Sequence, residues 1–219
     1  MKPQIEASSL NVLSKKQFTT RMTQCLRTTA FAAALVAIAE SSHGTLFQYS
    51  VTLSGPNESP PNASPATGSG EIDYNDFLHT LQVQFSFSGL TGPTTASHIH
   101  APTATPFTGT AGVATTTPYF AGFPIGVTSG SYSNTLDLTQ SSSWNPSYVS
   151  ANGGTTAGAE SALASAMAAG KSYLNVHSQT FPGGEIRGFL IAIPEPSSLA
   201  LLGLGACGFG WRVWRRQRP

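Results

Sequence analysis

Regular alternation of apolar and polar residues is the feature that most constrains the fold of this chain. It is clearest in Leu78–Leu90, "LHTLQVQFSFSGL". The apolar residues that would share one face are Leu81, Val83, Phe85 and Phe87. Because successive side chains of a β-strand point to opposite faces, the pattern predicts a strand with one buried and one solvated face. Strands of this kind are typical of antiparallel sheets.

The same reasoning predicts a mostly β body between residues 45 and 193. The predicted strands are Thr45–Leu53, Leu78–Leu90, Ser97–Ala101, Gly112–Thr116, Gly130–Leu138, Ser172–Ser178 and Glu185–Ile193. Gly55–Gly70 is rich in proline and glycine and is predicted as a loop. The one predicted helix is Ala-rich, with Thr155 or Thr156 as its cap and Gly170 at its end. These elements indicate an all-β fold, either an antiparallel β-sandwich or a partly open barrel.

The distribution of charge separates this body from both ends of the chain. Residues 40–193 contain two basic and eight acidic residues, a net charge of −6, whereas both ends are basic. Nucleic acid is therefore not expected as a partner, because neutralising phosphates requires Lys and Arg. The only cysteines are Cys25 and Cys207, so the body would have no disulfide. About 150 residues are enough to fold on a hydrophobic core alone.

The N-terminal residues 1–39 have the features of a secretory signal peptide. Arg21 and Arg27 precede the apolar run Ala30–Ala39, which is too short for a stable membrane span. The segment that begins at Met22 is a complete signal by itself. We therefore predict that translation starts at Met22 and that residues 1–21 are not translated. The alternative is a buried N-terminal helix.

The C-terminal residues 194–219 indicate a processed membrane segment. Pro194, Glu195 and Pro196 form an extended hinge that cannot join a strand ladder and is open to a processing enzyme. Ser197–Trp211 is apolar or small, and as a helix it just crosses the hydrocarbon core. The arginines that would fix the end on the cytoplasmic side are Arg212, Arg215, Arg216 and Arg218. This transmembrane helix would tether the acidic body outside the cell. The alternative to a processed segment is an ordinary single-pass anchor.

A candidate metal site follows from the spacing of three histidines. His98 and His100 are two residues apart, so on a strand both imidazoles lie on one face while Ile99 faces the other way. His177 is the natural third ligand, and Glu185 could orient a ring or supply an oxygen ligand. Copper or zinc would suit such a site. In the alternative interpretation no cofactor is bound, and the histidines only hydrogen-bond neighbouring loops.

A second interpretation of the same region is a polar cluster that fixes a hairpin. In "SYLNVHSQTFPGGEIRGFL", the residues Pro182–Gly184 supply a turn between two strands. The predicted members of the cluster, which would face one another across the turn, are Asn175, His177, Glu185 and Arg187.

Two parts of the chain resemble known families. "SHIHAP", Gly112-Val113 and "YLNVHSQTFPGGEIRGFL" make Leu46–Ile193 similar to the CHRD domain, which implies an extracellular immunoglobulin-like or superoxide-dismutase-like β fold. No agreed activity comes with that family. The tail, with Pro194-Glu195-Pro196, resembles the PEP-CTERM sorting signal of Gram-negative, biofilm-forming bacteria. That resemblance implies processing by an exosortase, removal of the tail, and delivery to the cell surface or to an exopolysaccharide matrix.

Three classes of function follow from these features. The chain contains no nucleophile or acid–base motif, so we expect a non-enzymatic surface or matrix module. The alternative is a metal-binding or redox protein that uses His98, His100 and His177. The likeness to copper-zinc superoxide dismutase rests on the His-x-His strand alone. A third class is a carbohydrate-binding protein with exposed aromatic residues at Tyr119, Trp144 and Tyr148.

Overall fold

The computed structural model describes residues 45–194, which form a mostly β structure with two α-helices and two single-turn 3-10 helices, Gly55–Asn57 and Ser141–Ser143. The strands are β1 (Leu46–Ser54), β2 (Thr67–Asn75), β3 (Thr80–Ser88), β4 (Thr94–His100), β5 (Gly130–Asp137), β6 (Tyr173–Ser178), β7 (Ile186–Phe189) and β8 (Ile191–Ala192). The helices are α1 (Pro146–Ala151) and α2 (Thr156–Ala168).

All eight strands belong to one curled antiparallel sheet. Their order is β4-β6-β7-β1-β2-β3-β5, and the short β8 pairs with β1. The sheet brings β4 and β6 side by side, although more than seventy residues separate them in the chain. This pairing positions the candidate site, because it joins the two strands that carry the histidines.

The inner face of the curled sheet forms the hydrophobic core. The buried side chains of the long strands alternate along the sequence, as in β3, where Leu81, Val83, Phe85 and Phe87 are all 4 % exposed or less. Leu163 and Met167 of α2 pack into the same core. The cap predicted for this helix is present, since the Thr155 hydroxyl oxygen accepts a hydrogen bond from the Gly158 N–H at 3.1 Å.

Most of the predicted elements are confirmed, with shifts of a few residues at their ends. The predicted strand Thr45–Leu53 is β1, Leu78–Leu90 contains β3, and Ser97–Ala101 overlaps β4. Gly130–Leu138 and Ser172–Ser178 correspond to β5 and β6. The predicted strand Glu185–Ile193 is divided into β7 and β8, and the predicted helix is α2 with Gly170 at φ +65° after its end. Whether the curled sheet is a sandwich or a barrel stays a prediction.

Three sequence-based assignments are wrong. The predicted loop Gly55–Gly70 ends too late, because β2 begins at Thr67 and pairs along its whole length with β1 and β3. Gly112–Thr116 is not a strand and makes two isolated bridges instead, between Val113 and His100 and between Thr115 and Trp144. The short helix α1 was not predicted. It begins after Asn145, whose side chain accepts a hydrogen bond from the Ser147 N–H.

The predicted signal peptide and tail lie outside residues 45–194, apart from Pro194. Neither α1 nor α2 has the length and apolar character needed to cross a bilayer, and this holds only for the part of the chain that the structure describes.

Candidate metal centre

The histidine triad, which we define as His98, His100 and His177, lies where β4 and β6 run side by side. In the register of the two strands His98 is opposite Asn175, His100 is opposite Tyr173, and His177 is opposite Ala96. Because paired residues share a face, the three imidazoles project from the same side of the sheet. This side is opposite to the core, into which Ile99 of the same strand is fully buried. The sequence prediction of a shared face is therefore matched by the observed register.

The three rings are close together and buried. Their centroids are separated by 5.4 Å between His98 and His100, 4.9 Å between His98 and His177, and 6.0 Å between His100 and His177. One nitrogen from each ring lies within 4.8 Å of the others. Each residue is only 6–8 % exposed, although the triad lies on the outer face of the sheet. Loops cover it from outside.

Each ring of the triad is held by a backbone carbonyl oxygen from one of these loops. The His98 Nε2 lies 2.7 Å from the Pro118 oxygen, the His100 Nδ1 lies 2.9 Å from the Ala111 oxygen, and the His177 Nδ1 lies 2.9 Å from the Pro182 oxygen. A carbonyl oxygen only accepts hydrogen bonds, so in each neutral ring the nitrogen that faces it carries the proton and donates. The contact therefore fixes both the tautomer and the orientation of the imidazole.

The second nitrogen of each ring carries a lone pair that accepts no hydrogen bond from the described part of the protein. These atoms are Nδ1 of His98, Nε2 of His100 and Nε2 of His177, which are buried and have no hydrogen-bond partner among residues 45–194. A ring that donates one N–H to a carbonyl and presents its other nitrogen inward is arranged as metal-binding histidines are in proteins. The triad thus holds three unpartnered imidazole lone pairs, on rings that bring one nitrogen each within 4.8 Å of the others.

Burial keeps the triad neutral at physiological pH. The pKa of His98 is lowered to about 4, first by desolvation and then by repulsion from the His177 and His100 rings. The hydrogen bond to the Pro118 oxygen has a smaller, opposite effect on this pKa. Desolvation also lowers the pKa of His100 to about 4. Burial likewise lowers the pKa of His177 below its ordinary value. A metal ion would therefore not have to displace protons from these rings at neutral pH.

Tyr173 and Arg187 support the triad from one side. The Tyr173 ring stacks on His100 with centroids 4.7 Å apart and an angle of 5° between the planes. The Arg187 guanidinium lies 4.7 Å from the centroid of Tyr173, on the neighbouring strand β7. It donates hydrogen bonds to the backbone oxygens of Asn57 and Gly109. The position of the His100 ring is thus tied to two loops through Tyr173 and Arg187.

Glu58 is the buried acidic partner of Arg187. One of its carboxylate oxygens is 3.8 Å from the Arg187 Nε, and the residue is 8 % exposed. Burial raises the pKa of Glu58 to about 7, against the opposing effect of the Arg187 charge. Sequence analysis did not identify Glu58, because it lies in an irregular loop where no periodicity relates it to the strands.

The structure places Glu185 away from the triad, contrary to its prediction as a ligand or as a residue that orients a ring. Its carboxylate accepts hydrogen bonds from the Ser64 hydroxyl at 2.6 Å and from the Thr91 N–H at 2.7 Å. Burial favours a raised pKa for Glu185, but hydrogen bonds, including those from Ser178, Ser64 and Thr91, outweigh it and hold the pKa below its ordinary value. Glu185 therefore ties the hairpin to the loops that precede β2 and β4.

The four residues of the predicted hairpin cluster are divided among separate contacts. Asn175 and Arg187 are opposite each other on β6 and β7, as the hairpin prediction requires. His177 instead belongs to the triad, and Glu185 binds Ser64 and Thr91. The polar side chains of this hairpin therefore make three separate sets of contacts and do not form one cluster.

The predicted exposed aromatic residues are not a common surface. Trp144 is 2 % exposed and Tyr148 is 6 % exposed, and the two rings stack in the core with centroids 6.1 Å apart. The Trp144 Nε1 donates to the Leu138 backbone oxygen at 2.8 Å. Only Tyr119 is exposed, at 37 %. The prediction of a carbohydrate-binding surface that includes Trp144 and Tyr148 is therefore wrong.

Comparison with known proteins identifies two regions. The family model described as the CHRD domain matches residues 49–190, which include the whole triad. The PEP-CTERM protein-sorting motif matches residues 192–216. No curated protein and no solved structure matches the chain.

Proposed function

We propose that this chain, which belongs to the CHRD domain family, is an exported surface protein whose β domain binds a copper or zinc ion at the histidine triad. Its PEP-CTERM motif supports export as a membrane-anchored precursor that exosortase-type machinery sorts to the cell surface. We further propose that the domain works as a binding module and not as an enzyme.

The observation that carries this proposal is the set of three buried lone pairs. If the histidines only held loops, one nitrogen of each ring would be enough, and the second nitrogen would be buried at a cost. A buried polar atom without a partner costs about 1–3 kcal/mol. Three such atoms on neighbouring rings are better explained by a shared ligand, and a metal ion accepts all three lone pairs at once.

The chemistry of the triad favours borderline transition metals. Neutral imidazole suits zinc and copper, whereas calcium and magnesium prefer carboxylate and carbonyl oxygens. The triad itself contains no carboxylate. Copper would bring redox chemistry to the site, and zinc would not. Which of the two is held decides between a redox role and a purely binding role.

Metal analysis of the purified full-length chain tests the proposal. After separate loading with zinc and copper and removal of loose metal, we expect about one ion per chain for one of the two metals. His98→Gln should lose most of this metal, because it removes one ligand. His79→Gln is the matched control, since His79 lies on the turn between β2 and β3, where its Nδ1 is 3.0 Å from the Glu160 carboxylate. A wild-type stoichiometry near zero for both metals would refute metal binding.

A second proposed role is structural, through the outer face of β1, β2, β3 and β5. Hydroxyl and amide side chains surround the exposed carboxylate of Glu71 on this face: Ser50, Thr52, Ser69, Gln84, Ser86, Ser131 and Ser133. Such a face can hydrogen-bond an exopolysaccharide through its hydroxyl and amide groups and through the Glu71 carboxylate. The amount of protein that stays in the matrix after producing cells are washed tests this role. The double variant Ser86→Asp/Ser131→Asp, which places two like charges opposite each other, should leave the matrix more easily than wild type. Equal retention would contradict the role.

A further inference from the structure

Large exposed apolar side chains are concentrated at one end of the sheet. Of the nine that are exposed among residues 45–194, five lie at this end, which we call the apolar end: Leu46, Phe47, Phe77, Leu78 and Ile193. Phe77 and Leu78 are the most open of all, at 69 % and 61 % exposed. Contiguous exposed apolar groups on a soluble domain commonly mark an interaction surface.

The topology brings these five side chains together. The first residues of β1 pair with the last residues of β2, with Leu46 opposite Asn75 and Phe47 opposite Tyr74. The short β8 lies on the other side of β1, where the Ile193 N–H donates to the Gln48 oxygen at 2.8 Å. The turn that joins β2 to β3 adds Phe77 and Leu78.

The exposure of that turn is enforced by hydrogen bonds. The Asn75 side-chain oxygen accepts from the Phe77 N–H at 3.1 Å and from the Leu78 N–H at 2.8 Å. The Asp76 carboxylate accepts from the Thr45 N–H at 2.8 Å and so ties the turn to the start of β1. Phe77 and Leu78 are therefore held outward by the backbone of an ordered turn.

The chain leaves the domain at the apolar end, directly before the sorting motif. Ile193 is one of the five side chains, and the PEP-CTERM match covers residues 192–216. The apolar run of the tail begins at Ser197, only four residues beyond Ile193. Four fully extended residues span at most about 14 Å. In the membrane-anchored precursor, the apolar end therefore cannot lie far from the lipid.

We propose that the apolar end rests on the lipid surface in the tethered precursor, with Phe77 and Leu78 in the interfacial region. The inference rests on the anchored precursor and is independent of metal binding. The basic residues in the described part of the chain are Lys171 and Arg187, and Arg187 is buried. Neither belongs to the strands or the turn of the apolar end, and that turn carries the acidic Asp76, so the contact depends on apolar insertion and salt should not weaken it.

A lipid-quenching experiment on the full-length precursor tests this placement. Cys25 and Cys207 are replaced by serine, and one cysteine is introduced as Phe77→Cys and labelled with the fluorophore NBD. The protein is reconstituted in phosphatidylethanolamine–phosphatidylglycerol vesicles that contain doxyl-labelled lipid. We expect the label at position 77 to lose most of its emission, at low and at high salt alike.

Ile125→Cys provides the matched control, because Ile125 is also an exposed apolar residue, at 43 %. It lies in the loop at the opposite end of the strands, where the Gly126 N–H donates to the Thr94 oxygen. The nine residues of β3 separate the two ends by roughly 27 Å. Emission at position 125 should be unchanged by the doxyl lipid. A label at Ile193→Cys provides a second probe of the apolar end in case Phe77→Cys folds poorly.

Three outcomes would overturn the inference, and they can be told apart. If the chain washes off the vesicles, the anchored precursor and the inference fail together. If the chain is retained but positions 77 and 193 behave like position 125, the anchor stands and the lipid contact does not exist. If their emission is blue-shifted but not quenched by lipid, protein covers the apolar end, as a second copy of this chain would.

Discussion

Acidification of the metal-free protein should reveal the buried histidine triad as a loss of stability. In the unfolded chain a histidine takes up its proton near pH 6.5, whereas His98 and His100 in the folded protein do so only near pH 4. Between these values the unfolded state binds more protons, so the free energy of unfolding falls as the pH falls. Above pH 6.5 the two rings cost the folded protein no stability. The loss of unfolding free energy begins as the pH falls below 6.5 and is nearly complete at pH 4.

The size of the effect follows from the same pKa values. Lowering a pKa from 6.5 to about 4 corresponds to about 3.4 kcal/mol for one histidine. Because part of the shift for His98 is repulsion from the other rings, the two contributions are not independent, and about 7 kcal/mol is an upper limit for the pair. A typical domain has only about 5–15 kcal/mol of unfolding free energy. The metal-free domain should therefore lose a measurable part of its stability between pH 7 and pH 4, although the raised pKa of Glu58 opposes this loss over the same range.

Urea unfolding at pH 7, 5.5 and 4 in the presence of a chelator measures this loss. His100→Phe keeps the stack on Tyr173 but cannot titrate, so its stability should fall by about 3 kcal/mol less than that of wild type between pH 7 and pH 4. His79→Gln controls for the removal of a histidine outside the triad. If wild type and His100→Phe lose the same stability over this range, the assignment of buried, neutral rings is wrong.

Three further predictions concern the surroundings of the triad and the sheet. Because burial raises the pKa of Glu58 to about 7, the folded protein keeps a proton that the unfolded chain loses near pH 4.5, and stability falls as the pH rises between these values. At pH 8 the free energy of unfolding of Glu58→Gln, measured with urea, should therefore exceed that of wild type by up to about 3 kcal/mol. At pH 4 this difference should be absent. Thr155→Ala removes the cap of α2 and should cost about 1 kcal/mol in the same assay, and no change would contradict the capping bond. A side chain at position 188 would overlap the Thr52 backbone oxygen, so Gly188→Ala should cost at least about 1–3 kcal/mol, whereas Gly183→Ala, which meets nothing within 4 Å, should be nearly neutral.

The sequence predicts a strand well where one face of that strand is buried in the core. It fails where a segment becomes a strand only because neighbouring strands pair with it. β3 was predicted because its alternation is the direct result of one buried face. β2 was missed because it contains Gly68 and Gly70, which usually indicate a loop. In the structure a Cβ at Gly70 would overlap the Gln84 backbone oxygen, so the close approach of β3 requires a glycine there. That requirement depends on the partner strand and has no local signal.

The candidate site was likewise predictable only in part. Spacing placed His98 and His100 on one face, and β-strand alternation around Val176 assigned His177 to a polar face. Alternation could not show that these faces belong to adjacent strands, because β4 and β6 are far apart in the chain. Nor could it show which nitrogen of each ring stays free, since that is decided by the carbonyl oxygens of three loops.

The burial of β6 argues that the triad is more than a set of loop contacts. A strand that is covered on both faces normally consists of apolar residues throughout. All six residues of β6 are buried, yet Asn175 and His177 occupy its outer face. Loops could have covered this face equally well over valines or leucines, without the cost of desolvating imidazoles. A conflict between pattern and burial is expected where a functional site has to be accommodated. The three free nitrogens give that conflict a chemical reason, because a metal ion would use all three and a loop contact would use none of them.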